Sequence, residues 1–258
     1  NCAAFLIWVN FVELELDGAK LNFEIKGDPN SPPLVLWHGA GCTLRMWDTA
    51  LSHLKDSFFC VAFDVRGAGL STSNVEPSSQ FTFEQYSKDL NLILKELDIE
   101  KTHLWSMAWG TRAAIAYSCL NPEKVISAVF SDASIGLADI AAQKEGVKKA
   151  LAIQDAKGMP RFDLPLGWNE HINQETAQLS LSAAAKFNLE DAIDDLKIPI
   201  LIMTGDHDPN LQSSKAISER LPSAKLRILE SVGHGSVLQR PDLTVDHFIE
   251  FHDSLRLS

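Results

Sequence analysis

Short apolar segments alternate with helix-patterned segments along most of this 258-residue chain, and this alternation limits the possible fold more than any other feature. PLVLWHGAG at 33–41 and FFCVAFDVRGAGLS at 58–71 are continuous apolar runs that lead into glycines. Strands buried on both faces of a sheet have this pattern. Residues 82–97, and again about 242–255, carry apolar side chains at helical spacing. The alternation predicts a mostly parallel, doubly wound α/β sheet of about eight strands.

The alternation is interrupted at 135–197, where the sequence contains helix patterns at 137–156, 169–187 and 189–196 and no clear strand. We therefore predict a core domain formed by 11–134 and 198–258, with a small helical lid inserted at 135–197. Residues 1–10 are expected to be an N-terminal extension or a first strand. Their apolar run is shorter than the ~20 residues that span a bilayer, and they lack the basic start of a secretion signal.

The composition argues against several classes of partner. The chain has 23 basic and 34 acidic residues, a formal net charge of −11, whereas a nucleic-acid-binding surface is basic. The four cysteines form no CxxC or Cys/His group, and no P-loop or dinucleotide glycine pattern occurs. We expect a cytoplasmic protein with a small-molecule substrate, without cofactor, metal, nucleic acid or membrane partner. The sequence leaves the oligomeric state open.

Polar residues and glycines collect where the predicted strands end. In parallel sheets the ligands and the chemistry lie at the carboxyl ends of the strands. Those ends are therefore where candidate functional residues are expected, and the stretches that qualify are 38–41, 64–69, 106–110, Asp132, 205–209 and 233–235.

One of these strand ends has the pattern of a turn that carries a nucleophile. In THLWSMAWGTRAAIAYSCL at 102–120, an apolar run enters a corner of small residues and leaves as a helix. The corner fits the pattern small-x-nucleophile-x-Gly, which places the nucleophile at the apex of a sharp turn between strand and helix. The apex residue, Ala108, has neither oxygen nor sulfur. Ser106 occupies the first small position, two residues before the apex, and is a poor substitute.

Four motifs together give the chain a resemblance to the α/β-hydrolase superfamily from about Phe11 onward. HGAG at 38–41 resembles its oxyanion segment, and FDVRGAGLS at 63–71 resembles its Asp-x-Arg-Gly-x-Gly-x-Ser loop. GDHDP at 205–209 resembles the acid-bearing turn, and GHGSVLQRPD at 233–242 resembles the histidine-bearing loop. Each motif alone is weak, but all four occur in order on predicted strand ends. The nearest likeness is to small lidded serine hydrolases such as esterases, lactonases and enol-lactonases.

The resemblance implies a role for each matching residue. Ala108 occupies the nucleophile position, where a serine is expected, and His234 is the expected general base, with Asp208 holding its imidazole. The oxyanion hole is expected from the backbone N–H groups of Ala40 and Trp109. Alternative positions for the acid are Asp206 and Asp132.

Two explanations of Ala108 stay open: an inactive serine-to-alanine variant of a hydrolase, or natural loss of the nucleophile in a ligand-binding pseudoenzyme. The otherwise complete set of motifs favours the variant. Ala-Trp-Gly also resembles the Asp-Trp-Gly elbow of haloalkane dehalogenases, in which Trp109 would help to bind halide. Against that interpretation, Ala40 stands where those enzymes often have an asparagine. Hydrolases of C–C bonds share the same general layout.

The lid is expected to cover the site and to supply an apolar pocket. The predicted pocket residues are Met107, Phe162, Leu166 and Trp168, and His171 is a further candidate for substrate contact. We therefore predict a serine-type hydrolase of a carboxylic ester or lactone of modest size, present here without its nucleophile.

Overall fold

The computed structural model describes residues 10–256 except 17, 75, 77 and 137. Most of the predicted N-terminal extension, residues 1–9, lies outside the described residues. Among those described, no helix has both the length and the apolar character that a membrane-spanning segment needs. The strands are β1 (Asn10–Leu16), β2 (Ala19–Lys26), β3 (Pro33–Trp37), β4 (Phe59–Phe63), β5 (Thr72–Ser73), β6 (Thr102–Met107), β7 (Val125–Ser131), β8 (Ile200–Gly205) and β9 (Ala224–Leu229). The α-helices are α1 (Asp48–Leu54), α2 (Phe83–Glu96), α3 (Trp109–Leu120), α4 (Ile140–Ala156), α5 (Gln174–Ser180), α6 (Leu189–Ala192), α7 (Leu211–Arg220), α8 (Ser236–Gln239) and α9 (Pro241–Arg256).

The described strands form one sheet in the order β1-β2-β4-β3-β6-β7-β8-β9, with β5 paired to β2 outside this row. β1 and β2 form an antiparallel hairpin, and β2 is also antiparallel to β4. From β4 to β9 in the row, neighbouring strands are parallel. The predicted mostly parallel sheet is confirmed. The strand number rises from the expected eight to nine because β5 has only two residues, too few to produce a hydrophobic pattern.

Helices cover both faces of the sheet, as a doubly wound fold requires. Val35 and Trp37 of β3 pack into a buried cluster with α2 and α3. Leu34 and Leu36 pack into a second cluster with α1 and α9 on the opposite face. Since successive side chains of a strand point to opposite faces, a strand that is covered on both sides must be apolar throughout. The apolar run that ends at HGAG therefore follows from burial on both faces.

The predicted lid region contains α4, α5 and α6 and no strand among its described residues. The helix expected at 169–187 is shorter, because the side chain of Asn173 accepts hydrogen bonds from Glu175 and Thr176 and starts α5 there. Residues 169–173 form a loop instead. Leu189 and Ile193 are buried in the cluster that also contains α3, so the end of the insertion flanks the sheet. The part that lies over the strand ends is therefore shorter than 135–197, and the domain boundaries stay a prediction.

Candidate active site

The turn between β6 and α3 has the strained backbone of a nucleophile elbow, although its apex is alanine. Ala108 has φ 53° and ψ −113°, a region that residues with a Cβ rarely adopt. Its N–H donates to the carbonyl of Ser131 at 2.8 Å, and its carbonyl accepts the Thr111 hydroxyl at 2.6 Å. A Cβ at Gly110 would lie 2.3 Å from the carbonyl oxygen of His38, so only glycine permits this close approach. The fold therefore fixes the apex at the carboxyl end of a central strand.

The loop after β3 packs directly against this apex. A Cβ placed on Gly39 would lie 3.8 Å from the Cβ of Ala108, which puts the first glycine of HGAG beside the nucleophile position. Trp109 is the first residue of α3, so its N–H has no acceptor within the helix. Among the described residues, the N–H of Ala40 donates to no other group of the protein. Both predicted oxyanion donors are thus backbone amides that donate to no group of the described residues, and their part in an oxyanion hole stays a prediction.

Two buried polar side chains hold the loops around the site. His38 donates from Nδ1 to the carbonyl of Gly39 at 2.9 Å and accepts the Val65 N–H on Nε2 at 3.1 Å. Burial lowers the pKa of His38, which agrees with a neutral ring that donates on one side and accepts on the other. Asp64 accepts the N–H groups of Leu44 at 2.7 Å and Leu70 at 3.0 Å. Both residues therefore act as supports for the loops.

Asp208 and His234, predicted as acid and base, form a hydrogen-bonded pair. His234 donates from Nδ1 to Oδ2 of Asp208 at 3.0 Å, and Oδ1 of Asp208 accepts the Asn210 N–H at 2.9 Å. The Asp208 side chain is fully buried, while 17% of the His234 side chain is exposed. Burial lowers the pKa of His234, but the hydrogen bond to Asp208 and the charges of Asp132 and Asp208 outweigh burial and raise it. With the proton on Nδ1, Nε2 of the neutral ring is left as the basic nitrogen.

Asp206, the alternative acid, is engaged elsewhere. Its Oδ1 accepts from Nδ1 of His207 at 2.6 Å and from the N–H of Val232 at 3.2 Å. The two aspartates of the GDHDP turn therefore serve different partners, and Asp208 is the one that reaches His234.

The structure also brings Asp132, weighed above only as an alternative acid, into the same group. One ligand-type atom from each of Asp132, Asp208 and His234 lies within 4.8 Å of the others. Gln239 also holds the histidine loop: its Nε2 donates to the carbonyl of His234 at 2.6 Å and its Oε1 accepts the Gly233 N–H at 3.1 Å. Gln239 lies on the short helix α8, and the motif GHGSVLQRPD that contains it gives it no role.

The indole N–H of Trp109, which a halide donor would need, is already bound within the protein. Its ring packs against Phe83 and Tyr86 of α2, with ring centroids 5.8 and 6.1 Å apart, and its Nε1–H donates to the carbonyl of Leu181 at 3.2 Å. An indole N–H that is already bound in this way is not available to a halide. This contact argues against the dehalogenase alternative.

The predicted pocket residues separate into two groups. Met107 is buried, and Trp168 packs against the same apolar cluster as Ala108 and Met107. Phe162 is half-buried. Leu166 is 90% exposed and therefore does not line an enclosed pocket, contrary to expectation. The sequence predicted a pocket position for Leu166 wrongly because this residue lies in a Pro/Gly-rich loop. Such a loop has no fixed periodicity from which the direction of a side chain could be inferred.

Hydrogen bonds tie the lid to two glycine-rich loops beside the site. The Thr43 hydroxyl donates to the Gly167 carbonyl at 2.8 Å, and the Thr43 N–H donates to the Trp168 carbonyl at 2.7 Å. His171 accepts the Gly69 N–H on Nδ1 at 2.8 Å and donates from Nε2 to the Gly41 carbonyl at 3.2 Å. His171 therefore acts as a bridge between both loops and the lid, a role that the sequence did not reveal.

A separate cleft of about 990 Å³ opens near the amino-terminal ends of β6 and β7. The cleft and the candidate site lie at opposite ends of these strands, because Ala108 and Asp132 follow the carboxyl ends of β6 and β7. Its lining includes Lys88, Leu92, Lys95, Lys101 and Lys124 and contains none of the candidate site residues. Size alone therefore does not connect this cleft with the chemistry.

The order of these strand-end groups agrees with a comparison of the sequence with known families. A family model described as "alpha/beta hydrolase fold" matches residues 32–173, which is more than half of the chain. The chain belongs to the α/β-hydrolase fold family. In this α/β hydrolase the matched region includes β3 with its HGAG loop and the elbow at Ala108, while Asp208 and His234 follow in the remaining sequence.

Relatives of this α/β hydrolase differ in the reaction named for them. A proline iminopeptidase of Lactobacillus helveticus is 25% identical and aligns over 92% of this chain and 96% of its own length. The 3-oxoadipate enol-lactonase 1 of Acinetobacter baylyi is 23% identical, with 93% and 95% covered. The crystal structure of the enol-lactonase from Burkholderia xenovorans LB400 has a TM-score of 0.75 at 19% identity, with 94% and 100% covered. The structural likeness shows the fold, and the substrate requires a separate argument.

Proposed function

We propose that this site hydrolyses a carboxylic ester or lactone of modest size when position 108 carries serine. With Ala108, the chain binds such a substrate without forming a covalent intermediate. The observation that carries the proposal is the 3.0 Å hydrogen bond from His234 to Asp208, combined with an elbow whose apex keeps its strained backbone although the residue is alanine. Strain of this kind costs on the order of 1–3 kcal/mol and is characteristic of functional sites.

Each step of the reaction has a group suited to it. The hydroxyl of a serine at 108 attacks the carbonyl carbon while Nε2 of His234 takes its proton, and Asp208 stabilises the resulting imidazolium. The negative charge on the former carbonyl oxygen is met by the backbone N–H groups of Ala40 and Trp109, and one such donor is typically worth about 3 kcal/mol. His234 then protonates the leaving alkoxide, and water hydrolyses the acyl-enzyme by the same path.

The choice of ester or lactone over peptide rests on the lid and on the relatives. Trp168 and the half-buried Phe162 are apolar, which favours a neutral acyl group over the cationic amine of an aminopeptidase substrate. Two of the compared proteins are enol-lactonases. Because the chain is also similar to a proline iminopeptidase, hydrolysis of a peptide-type substrate is one of the outcomes that the test must distinguish.

The test is to introduce Ala108→Ser and to assay p-nitrophenyl esters of graded acyl length, several lactones and a proline anilide. We expect hydrolysis of short esters or lactones by Ala108→Ser and none above background by the unchanged chain. Ala108→Ser combined with His234→Gln is the matched control, since it keeps the nucleophile and removes the base. Inactivity of Ala108→Ser on every substrate would contradict the proposal, and a preference for the anilide would reassign the substrate class.

A second candidate, a ligand-binding pseudoenzyme, is favoured by Ala108 itself and by the lid contacts at Thr43 and His171. It predicts that the natural gene encodes alanine at this position and that the unchanged chain binds a small apolar ester or acid. The codon at position 108, together with calorimetric binding of substrates that Ala108→Ser turns over, separates the two candidates.

A further inference from the structure

Asp132 follows the residue that is hydrogen-bonded to the elbow and itself binds the histidine loop. It directly follows Ser131, whose carbonyl accepts the Ala108 N–H. Its side-chain Oδ2 accepts the N–H groups of Gly235 at 2.9 Å and Ser236 at 2.7 Å, the two residues after His234. Its own backbone is equally constrained, since its N–H donates to the Met203 carbonyl at 2.8 Å and its φ is +56°.

The second carboxylate oxygen of Asp132 is unused by the loop. Oδ1 is buried and has no hydrogen-bond partner among the described residues, which is costly for a carboxylate unless a charge compensates it. The charged groups that face it are Asp208, from the loop after β8, and His234, from the loop after β9. Burial and the charge of Asp208 raise the pKa of Asp132 to about 7, and the charge of His234 opposes that rise.

We propose that Asp132 is a positioning residue for His234, a second carboxyl group that fixes the backbone after the imidazole through two amide hydrogen bonds and stabilises the imidazolium by its charge. This role rests on the proposed function, because it concerns the base of that same reaction. Asp208 holds the ring through Nδ1, while Asp132 holds the chain that carries the ring. Two carboxyl groups, from the ends of the neighbouring strands β7 and β8, thus position the His234 imidazole.

The contacts distinguish this role from two simpler ones. If Asp132 were only an acceptor for the amides of Gly235 and Ser236, one neutral oxygen would be enough. The buried second oxygen of a carboxylate beside a histidine would then lower stability without contributing anything. A metal site would need its donor atoms on one ion, with bonds near 2 Å. Here Oδ2 already accepts two N–H groups, and Nδ1 of His234 donates to Asp208.

The first experiment measures the titration of the His234 imidazole by NMR in the unchanged chain and in Asp132→Asn, with the resonance assigned through His234→Gln. The asparagine carbonyl keeps an acceptor for both amides and removes the negative charge. We expect the titration midpoint of His234 to fall by about one pH unit, since an opposite charge within 4–6 Å shifts a pKa by about that amount or more. Asp206→Asn, which removes a carboxylate from the neighbouring loop, is the matched control and is expected to leave the midpoint in place.

An unchanged midpoint in a folded Asp132→Asn would overturn the proposal, and equal shifts in Asp132→Asn and Asp206→Asn would do so as well. A second titration uses the unchanged chain, so that the proposal can be tested even if Asp132→Asn does not fold. In the unchanged chain, the carboxyl carbon of Asp132 and the ring of His234 are expected to show shared titration steps, as coupled groups do. A carboxyl resonance that is indifferent to the His234 step contradicts the coupling.

The second experiment places Asp132→Asn in the Ala108→Ser background. We expect kcat to fall at least 10-fold with little change in KM, and the acidic limb of the pH–rate profile to move with the His234 midpoint. A KM effect alone would overturn the positioning role. If Ala108→Ser has no activity, the proposed function fails, whereas the NMR titration still decides whether Asp132 acts on His234.

Discussion

At the scale of single residues, Ala108 has the backbone conformation of a nucleophile elbow but a side chain without a nucleophilic atom. A side chain with a Cβ is held at φ 53° by hydrogen bonds to Ser131 and Thr111, yet alanine cannot perform the attack for which such a turn is suited. The backbone strain at Ala108 is therefore present although no nucleophile makes use of it. This makes the stability of the elbow measurable separately from its activity.

Ala108→Gly is expected to stabilise the chain. Relief of the strain gains on the order of 1–3 kcal/mol, and the greater freedom of glycine in the unfolded chain costs about 0.5–1 kcal/mol. We predict a rise of about 1 kcal/mol in the free energy of unfolding, measured by urea denaturation. Ala113→Gly, inside α3 where glycine is unfavourable, is the control and should lower the same quantity. A loss of stability in both variants would show that the elbow is unstrained.

The pH dependence of stability is expected to carry the signature of Asp132. Its pKa is raised to about 7 in the folded state, chiefly by burial, while the unfolded carboxyl titrates near its ordinary value of 3.8. The folded state then holds a proton that the unfolded state has lost. The associated stability is complete below about pH 4 and declines as pH rises toward 7. Asp132→Asn should show a smaller decline over that interval, measured by urea unfolding at several pH values, and parallel curves would contradict this assignment.

The candidate acid, base and nucleophile position could be proposed from sequence because each sits in a short local motif. The Gly-x-x-Asp spacing selects Asp208 over Asp206, and the hydrogen bond to His234 agrees with that choice. Asp132 and Gln239 could not be assigned in this way, because their partners are backbone groups of the loop after β9. Such contacts depend on which strands are neighbours and in what register, and no local pattern encodes either.

At the scale of secondary-structure elements, α4 is seated on both loops that carry the proposed acid and base. A Cβ on Gly146 would lie 2.0 Å from the carbonyl oxygen of His207, and one on Gly233 would lie 2.7 Å from the Cα of Val147. The helix and the two loops therefore touch backbone to backbone. The sequence predicts α4 as a helix, but the reason for a glycine in its interior is visible only from this packing.

Gly146→Ala gives these contacts a test whose sign is informative. Helix propensity alone predicts a gain of about 1 kcal/mol when alanine replaces a glycine inside a helix. The close contact with His207 predicts the opposite, since overpacking typically costs about 1–3 kcal/mol. We expect a net loss of stability in urea unfolding, whereas Lys148→Ala, exposed on the same helix, should stay within about 0.5 kcal/mol of the unchanged chain. A gain for Gly146→Ala would mean that α4 stands off the loops.

At the scale of the whole molecule, the alternation of strands and helices predicts the layered architecture but not the order of strands in the sheet. The order places β3, β6, β7, β8 and β9 side by side and parallel, so their carboxyl ends lie along one edge. The oxyanion loop, the elbow, Asp132, Asp208 and His234 follow these five strands in turn. Segments that are up to about 200 residues apart in sequence therefore meet at one place.

Covalent capture of a nucleophile at position 108 requires all of these loops together. A fluorophosphonate should react with Ala108→Ser, and mass spectrometry should locate a single adduct on that serine. The unchanged chain and the His234→Gln form of Ala108→Ser should remain unlabelled under the same conditions. An Ala108→Ser chain that is folded but unreactive, or one labelled equally well without His234, would contradict a hydrolase site that is complete except for its nucleophile.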